Sequence, residues 1–389
     1  MTMRKILIDA TRLLRRSMNG RLPTGVDRVS LAYIAHYGHR AQAVVRWAGQ
    51  SFVLSCEASE RIFKFLHDPM PGLRDSMWPT LGKSAVSSWR HRNIEGRFLL
   101  NTGHSGLEWP TYPSMLERQK VKPLFFVHDL IPINYPEYAR PGERDRHIKR
   151  MDNALDAAVG VIANSQTTLD ELTDYAKTMG KRMPPAVAAW LAPGVILNSP
   201  GPRPIRPPYF VLLGTIEPRK NHWLMLQLWR RLILRHGENA PRLVIIGRRG
   251  WECENVVDLL ERCETLRGFV IECARCSDVE LVNYLHHAQA LLFPSFAEGY
   301  GMPMVESLAL GVPVIASDLP AFQEIAGDIP EYIDPLDGKR WGDLIEEYSN
   351  SASLTRVAQL RRIEGFNAPT WTQHFSIVDE FMERLGHRH

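Results

Sequence analysis

Residues 293–318, FPSFAEGYGMPMVESLALGVPVIASD, close one short apolar run, turn through two glycines and a proline, and enter an amphipathic stretch that leads into a second apolar run. That order predicts a strand, a turn, a helix and a parallel strand, the repeating unit of an open α/β sheet. Glu298 falls in the turn at the carboxyl end of the first strand, and Glu306 lies about one turn inside the helix. Ligands of open α/β sheets bind at that end of the strands. Gly299 and Gly301 let a ligand approach the backbone and offer amide donors near a helix start, which suits polar and anionic groups. A carboxylate there can accept two hydrogen bonds from adjacent hydroxyls, the pattern of a ribose or hexose diol.

The same alternation of apolar runs and amphipathic stretches extends in both directions. In the first half, strands are predicted at 5–10, 98–103, 124–131, 159–164 and 186–193, with helices at 26–37, 142–157 and 166–179. Residues 68–97 read as an irregular surface elaboration. In the second half, strands are predicted at 209–215, 242–247, 269–273, 290–295 and 312–318. Between the halves stands NSPGPRPIRPP (198–208), whose five prolines exclude both helix and central strand and mark a linker. The expected fold class is therefore α/β with two doubly wound, Rossmann-like domains, residues 1–200 and 201–370. A C-terminal helix at 371–389 presents Trp371, Phe375, Val378, Phe381 and Met382 on one apolar face and is expected to return to the first domain.

Composition narrows the function. A chain of 389 residues with 44% apolar and 23% charged residues is globular, and 389 residues exceed what one core usually organises. A net charge of +4 gives no case for nucleic acid. Five cysteines, an odd number, make no disulfide framework, and no run is long enough to span a bilayer, so a cytoplasmic location is expected. The pair Cys273 and Cys276 has metal-knuckle spacing but lacks a second matching pair, and no metal site is expected. Arg140, Arg144, Arg146, Lys149 and Arg150 form a basic run that would suit peripheral contact with an anionic inner membrane.

EGYGMPMVE (298–306) resembles the E-x7-E element of the retaining glycosyltransferase family numbered four. Other elements follow in family order: PTGVDRV (23–29), VHDLIP (127–132), NSQTT (164–168), GTIEPRKN (214–221) and GVPVIASDLPAFQEIAG (311–327). The resemblance implies the GT-B fold, two Rossmann-like domains facing across a cleft. It implies that Glu306 binds the ribose hydroxyls of a nucleotide, that Glu298 and the amides of Gly299, Tyr300 and Gly301 lie against the transferred sugar, and that His128 reaches that sugar. Gly214 belongs to the donor-phosphate loop, in which Arg219 and Lys220 hold the diphosphate, and Gly25 belongs to an N-terminal anion-binding loop. The catalytic set is His128, Glu298, Arg219 and Lys220. No D-x-D-like acidic pair stands in a donor loop, so the two cations are expected to replace a divalent metal, and no cofactor beyond the donor is expected.

The implied reaction is retaining transfer of a hexose, with mannose and a GDP-mannose donor favoured over a UDP-sugar. The acceptor would be a glycan or polyprenyl-linked saccharide of surface-polysaccharide (lipopolysaccharide) synthesis. A UDP-sugar-dependent transferase of the same fold and a catalytically silent nucleotide-sugar-binding module are the alternatives.

Overall fold

The computed structural model describes residues 4–21, 23–47, 50–68, 94–194, 201–350 and 352–387. The irregular segment expected at 68–97 lies mostly outside them. The strands of the first sheet are β1 (Ile6–Asp9), β2 (Ala41–Trp47), β3 (Gln50–Val53), β4 (Phe98–Asn101), β5 (Lys122–Val127), β6 (Gly160–Ala163) and β7 (Ala186–Ala188). Their order is β3-β2-β1-β4-β5-β6-β7, all parallel except the β2–β3 pair. The second sheet comprises β8 (Tyr209–Leu213), β9 (Arg242–Ile246), β10 (Val270–Cys273), β11 (Leu291–Phe293), β12 (Val314–Ser317) and β13 (Glu331–Ile333), ordered β10-β9-β8-β11-β12-β13 and wholly parallel. Counted from its own first strand, the second sheet runs 3-2-1-4-5-6, the doubly wound dinucleotide-binding order, and the first sheet runs the same way with β7 added as a seventh strand at its edge.

The central strands β1, β11 and β12 are buried at every residue, because helices cover both faces of such a sheet and leave no wet side to pattern. In the second unit Phe210, Leu212, Leu243, Ile245 and Ile315 pack beneath Trp229 and Leu232 of helix His222–His236 and Trp341, Leu344 and Tyr348 of helix Gly338–Ser349. In the first unit Leu7, Val44, Leu99 and Phe125 pack with Leu107, Tyr112 and Leu116.

The C-terminal helix runs Trp371–Gly386 and buries Phe375, Val378, Phe381 and Met382 within the first unit. Phe375 stacks on His36 at 4.0 Å, and Asp379 accepts from the Tyr37 hydroxyl at 3.0 Å and from Arg40 at 3.1 Å. A Cβ at Gly160 would stand 2.7 Å from both Phe381 and Leu385, so the bare glycine on β6 makes room for this helix.

The division of the chain differs from the expected break at residue 200. The first compact unit comprises residues 1–133, 141–191 and 371–389, and the second comprises 134–140 and 192–370. The chain leaves the first sheet early because β7 is only three residues long, and by Gly194 its amide already donates to Glu306 in the second unit. The excursion at 134–140 is held by aromatic contacts: Tyr138 stacks on Phe296 at 5.4 Å, and the Arg140 guanidinium lies 4.6 Å above Trp251.

Candidate functional site

Strands β8 and β11 are neighbours, and the chain leaves them toward opposite edges of the second sheet. Their carboxyl ends therefore form the topological switch point, where such sheets open a crevice. The loop after β8 begins at Gly214, with φ +147°, where a Cβ would press against the Lys220 side chain at 3.3 Å. It closes through the short helical turn Pro218–Lys220 and the left-handed Asn221, whose side-chain Nδ2 donates to the Pro335 carbonyl at 2.9 Å. The loop after β11 ends at Gly301, with φ +113°, where a Cβ would stand 2.8 Å from the Phe322 ring. Only glycine meets both conditions there.

These loops carry an interlocked set of charges. Arg219 donates to Glu298 at 2.8 Å, to Glu217 at 2.7 Å and to the Ala297 carbonyl at 2.9 Å, while the Lys220 ammonium contacts the other Glu298 oxygen. The Phe296 amide donates to the Arg219 carbonyl at 2.8 Å, tying the two loops together. Lys220 Nζ also lies 4.9 Å from the centre of the Phe293 ring. Burial opposes ionisation of Glu298, but the Arg219 and Lys220 charges more than offset it and hold the carboxyl at about 2. Burial lowers the Lys220 pKa, against the pull of Glu298, and burial raises that of Glu217, against the pull of Arg219 and Lys220. Such a cluster, closed on itself in a dry setting, is a ready cation pair for an incoming anion.

Glu306 is the fifth residue of helix Met302–Ala309 and is 9% exposed, with one oxygen accepting from Gly194 N at 3.2 Å. Gly299, Tyr300 and Gly301 lie on the path between the two glutamates, with Tyr300 buried. One residue escaped sequence reasoning. His222, the first residue of its helix, is 1% exposed, neither ring nitrogen finds a hydrogen-bond partner among the described residues, and burial followed by the Lys220 charge holds it at about 3. Its signal in the sequence was only its position directly after EPRKN.

His128 and Gly25 belong to the first unit. His128 follows β5 and donates from Nε2 to the Thr102 carbonyl at 2.8 Å, and burial depresses its pKa. A neutral imidazole with Nε2 as donor carries its lone pair on Nδ1. Thr102 also donates through its hydroxyl to Ser30 at 2.8 Å, joining His128 to helix Gly25–Tyr37. Gly25 opens that helix behind a capping box of Thr24 and Asp27, and Asp27 in turn accepts from Arg16 at 2.7 Å and Arg12 at 3.1 Å. A Cβ at Gly25 would meet nothing within 4 Å, so the helix start is open on that side. His104 and His147 adjoin this region, each donating to a backbone carbonyl, and burial depresses both.

The basic run does not form one uncommitted face. Arg140 covers Trp251, while Arg146 and Arg150 bind Glu143 at 2.6 and 2.7 Å, which leaves Arg144 and Lys149 exposed. The Cys276 thiol is pushed up to about 11 by burial, then by Glu280, which disfavours the thiolate a metal would require. Among the described residues no helix is long and apolar enough to cross a membrane.

The fold is GT-B. Alr3699/HepE of Anabaena, solved with UDP, superposes with a TM-score of 0.66 over 97% of this chain and 99% of its own at 13% identity. A trehalose-phosphate synthase from Burkholderia vietnamiensis superposes with a TM-score of 0.61 over 99% of each chain at 11% identity. Residues 199–354 match the family model "Glycosyl transferases group 1", so the part of the chain that carries the charge cluster is a glycosyltransferase group 1 domain. Among curated proteins, the serotype-specific mannosyltransferase WbdA of Escherichia coli is 26% identical over 274 residues, 65% of this chain and 32% of WbdA. The O-antigen chain mannosyltransferase B of the same species is 28% identical over 218 residues, 54% of this chain and 56% of its own. The chain thus spans about a third of the length of its WbdA relatives.

Proposed function

We propose that the protein is a retaining glycosyltransferase that moves a hexose, with mannose favoured, from a nucleotide-diphosphate sugar to a glycan or lipid-linked glycan of surface-polysaccharide synthesis. The observation that carries the reading is the cluster of Arg219, Lys220 and Glu298 at the switch point of the second sheet, with Glu306 eight residues further along. The names of the mannosyltransferase relatives supply the choice of sugar.

In transfer, the bond between the anomeric carbon and the diphosphate oxygen breaks, an acceptor oxygen bonds to that carbon, and the acceptor proton passes to the departing phosphate. The work required of the protein is to stabilise negative charge on the phosphates and positive charge at the anomeric carbon. Arg219 gives the phosphates a planar fork and Lys220 a point charge. On donor binding these cations exchange part of their pairing with Glu298 for the diphosphate, and Glu298, ionised at any working pH, is left to orient a sugar hydroxyl and to favour positive charge beside it. Glu306 accepts from the ribose diol. His128, neutral near pH 7, accepts a sugar hydroxyl at Nδ1. With two cations placed for the diphosphate, turnover needs no divalent metal.

A panel of nucleotide sugars, each followed for slow hydrolysis with and without chelator, tests the proposal. The expected result is hydrolysis of one sugar nucleotide, GDP-mannose favoured, at a rate that chelator leaves unchanged. Binding of a nucleotide sugar with neither hydrolysis nor transfer would identify a silent binding module, and trapping of a covalent sugar on Glu298 would replace the orienting role with a nucleophilic one.

A further inference from the structure

A groove of about 450 Å³ runs between helix His222–His236 and helix Gly338–Ser349 on the second unit, outside the charge cluster. Its floor is apolar, and the reason lies in two glycines spaced four apart on one helix. A Cβ at Gly338 would stand 3.1 Å from Leu224, and one at Gly342 would stand 3.6 Å from Leu228. Larger residues at these positions would fill the space between the helices; glycine keeps it open at a cost in helix propensity. Trp223 lines the groove and is 49% exposed, although the indole is the side chain with most to gain from a covered face.

The polar lining is nearly balanced in charge. Arg235 crosses to Glu346 at 2.5 Å, and Lys339 pairs with Asp343 at 2.6 Å. Gln227 and Arg231 also line the groove, and Arg231 makes no ion pair among the described residues. A balanced rim gives little hold on a strongly anionic ligand such as a phosphate or an anionic vesicle. The combination of an exposed indole face with an amide, a guanidinium and two carboxylates, each paired through a single oxygen among the described residues, fits a neutral polyol. A pyranose ring presents C–H groups on one face, which pack against the indole π cloud, and hydroxyl pairs at its edge, which bind planar amide, guanidinium and carboxylate groups.

We propose that this groove is a saccharide-binding site, separate from the donor site, that holds a segment of the glycan the protein extends. The glycan's identity as occupant rests on the transferase reading. Residues 223 to 235 lie on the helix that follows Lys220 and Asn221, so by helix rise the groove extends to about 20 Å from the donor-phosphate loop along that axis. A chain gripped there stays tethered while its end is released and rebound.

The test is saturation-transfer NMR and tryptophan fluorescence with α-manno- and α-gluco-oligosaccharides of two to four residues, on the full chain and on Trp223→Ala and Gly342→Leu. Calorimetry with GDP and UDP is run on the same samples. Oligosaccharide binding is expected in the wild type and about 10-fold weaker or lost in both variants, with nucleotide affinity unchanged. No binding by any oligosaccharide, or equal binding by all three proteins, overturns the groove. Sedimentation showing a dimer that Trp223→Ala dissociates assigns the surface to a second copy and also overturns it. Nucleotide binding without oligosaccharide binding leaves the transferase reading standing; Trp223-dependent oligosaccharide binding without nucleotide binding does the reverse.

Discussion

The two sheets share a strand order but equip their switch points differently. In the second unit the crevice is furnished with charge: Glu217, Arg219, Lys220 and Glu298 form one cluster, and Glu298 is held ionised at about 2. In the first unit the end of β4 and the end of its neighbour β5 carry His104 and His128, neutral and each bonded to a backbone carbonyl, while the pair Asp9, at the end of β1, and Arg46 is spent on packing, with Arg46 4.6 Å above the Tyr112 ring. The lesson is that topology supplies a place and the side chains supply the chemistry. A diphosphate needs fixed cations, whereas a neutral sugar hydroxyl needs oriented dipoles.

The sharpest way to break this contrast is to remove charge from the second unit. Glu298→Gln should lower turnover by about 10²–10³-fold, the range for loss of one oriented electrostatic group, and should leave nucleoside diphosphate affinity equal or tighter, because Arg219 and Lys220 lose a competitor. Initial rates and calorimetry check both parts; weakened nucleotide binding would mean that Glu298 contacts the nucleotide directly. Next in size, Glu306→Ala should weaken nucleotide binding by one to two orders of magnitude, from the loss of about 1.5–3 kcal/mol of charge-assisted hydrogen bonding. Unchanged affinity would remove the ribose from Glu306.

A change in the first unit should read out differently. Gly160→Ala forces a methyl into the space of Phe381 and Leu385 and should destabilise the protein by about 1–3 kcal/mol of overpacking. Thermal melts should shift while nucleotide affinity measured below the transition stays constant. The smallest effect concerns Glu171, whose carboxyl is pushed up to about 7 by burial and by the Asp129 charge. Between its ordinary 4.5 and 7 the folded protein keeps a proton that the unfolded chain has lost, so stability falls as pH rises across that window. Glu171→Gln should flatten that slope in melts taken from pH 4.5 to 7.5. Glu298 has the opposite sign: its contribution is present above about 4.5 and is lost only as pH falls toward 2.

The sequence was most legible where structure is local. Short apolar runs marked β1, β4, β5, β6, β8, β9, β11 and β12, because strands buried on both faces read as continuous hydrophobic stretches, and the same kind of run marked the partly buried edge strand β10. Glu298, Glu306, Arg219 and Lys220 stood out because a turn and the following helix fix their spacing. The β2–β3 hairpin was missed because its inward positions include polar Gln42, Arg46 and Ser51, each buried with a partner that sequence pattern does not reveal. Strand β13 was missed because Glu331–Ile333 is too short to show a period. The excursion at 134–140 was illegible for another reason: NYPEYAR is held by Phe296 and Trp251, more than 100 positions away, and such contacts leave no local trace. The described part of the proline-rich stretch, 201–208, contains neither helix nor strand, but the chain had already changed units at Ala192.

In the proposed reaction the switch point of the second sheet holds the diphosphate of a sugar nucleotide. A crystal structure with a nucleoside diphosphate tests it most directly. It should show phosphate oxygens within hydrogen-bonding distance of Arg219 and Lys220 and the ribose hydroxyls on Glu306. A nucleotide bound elsewhere, with the Lys220–Glu298 and Arg219–Glu298 pairs undisturbed, would contradict it.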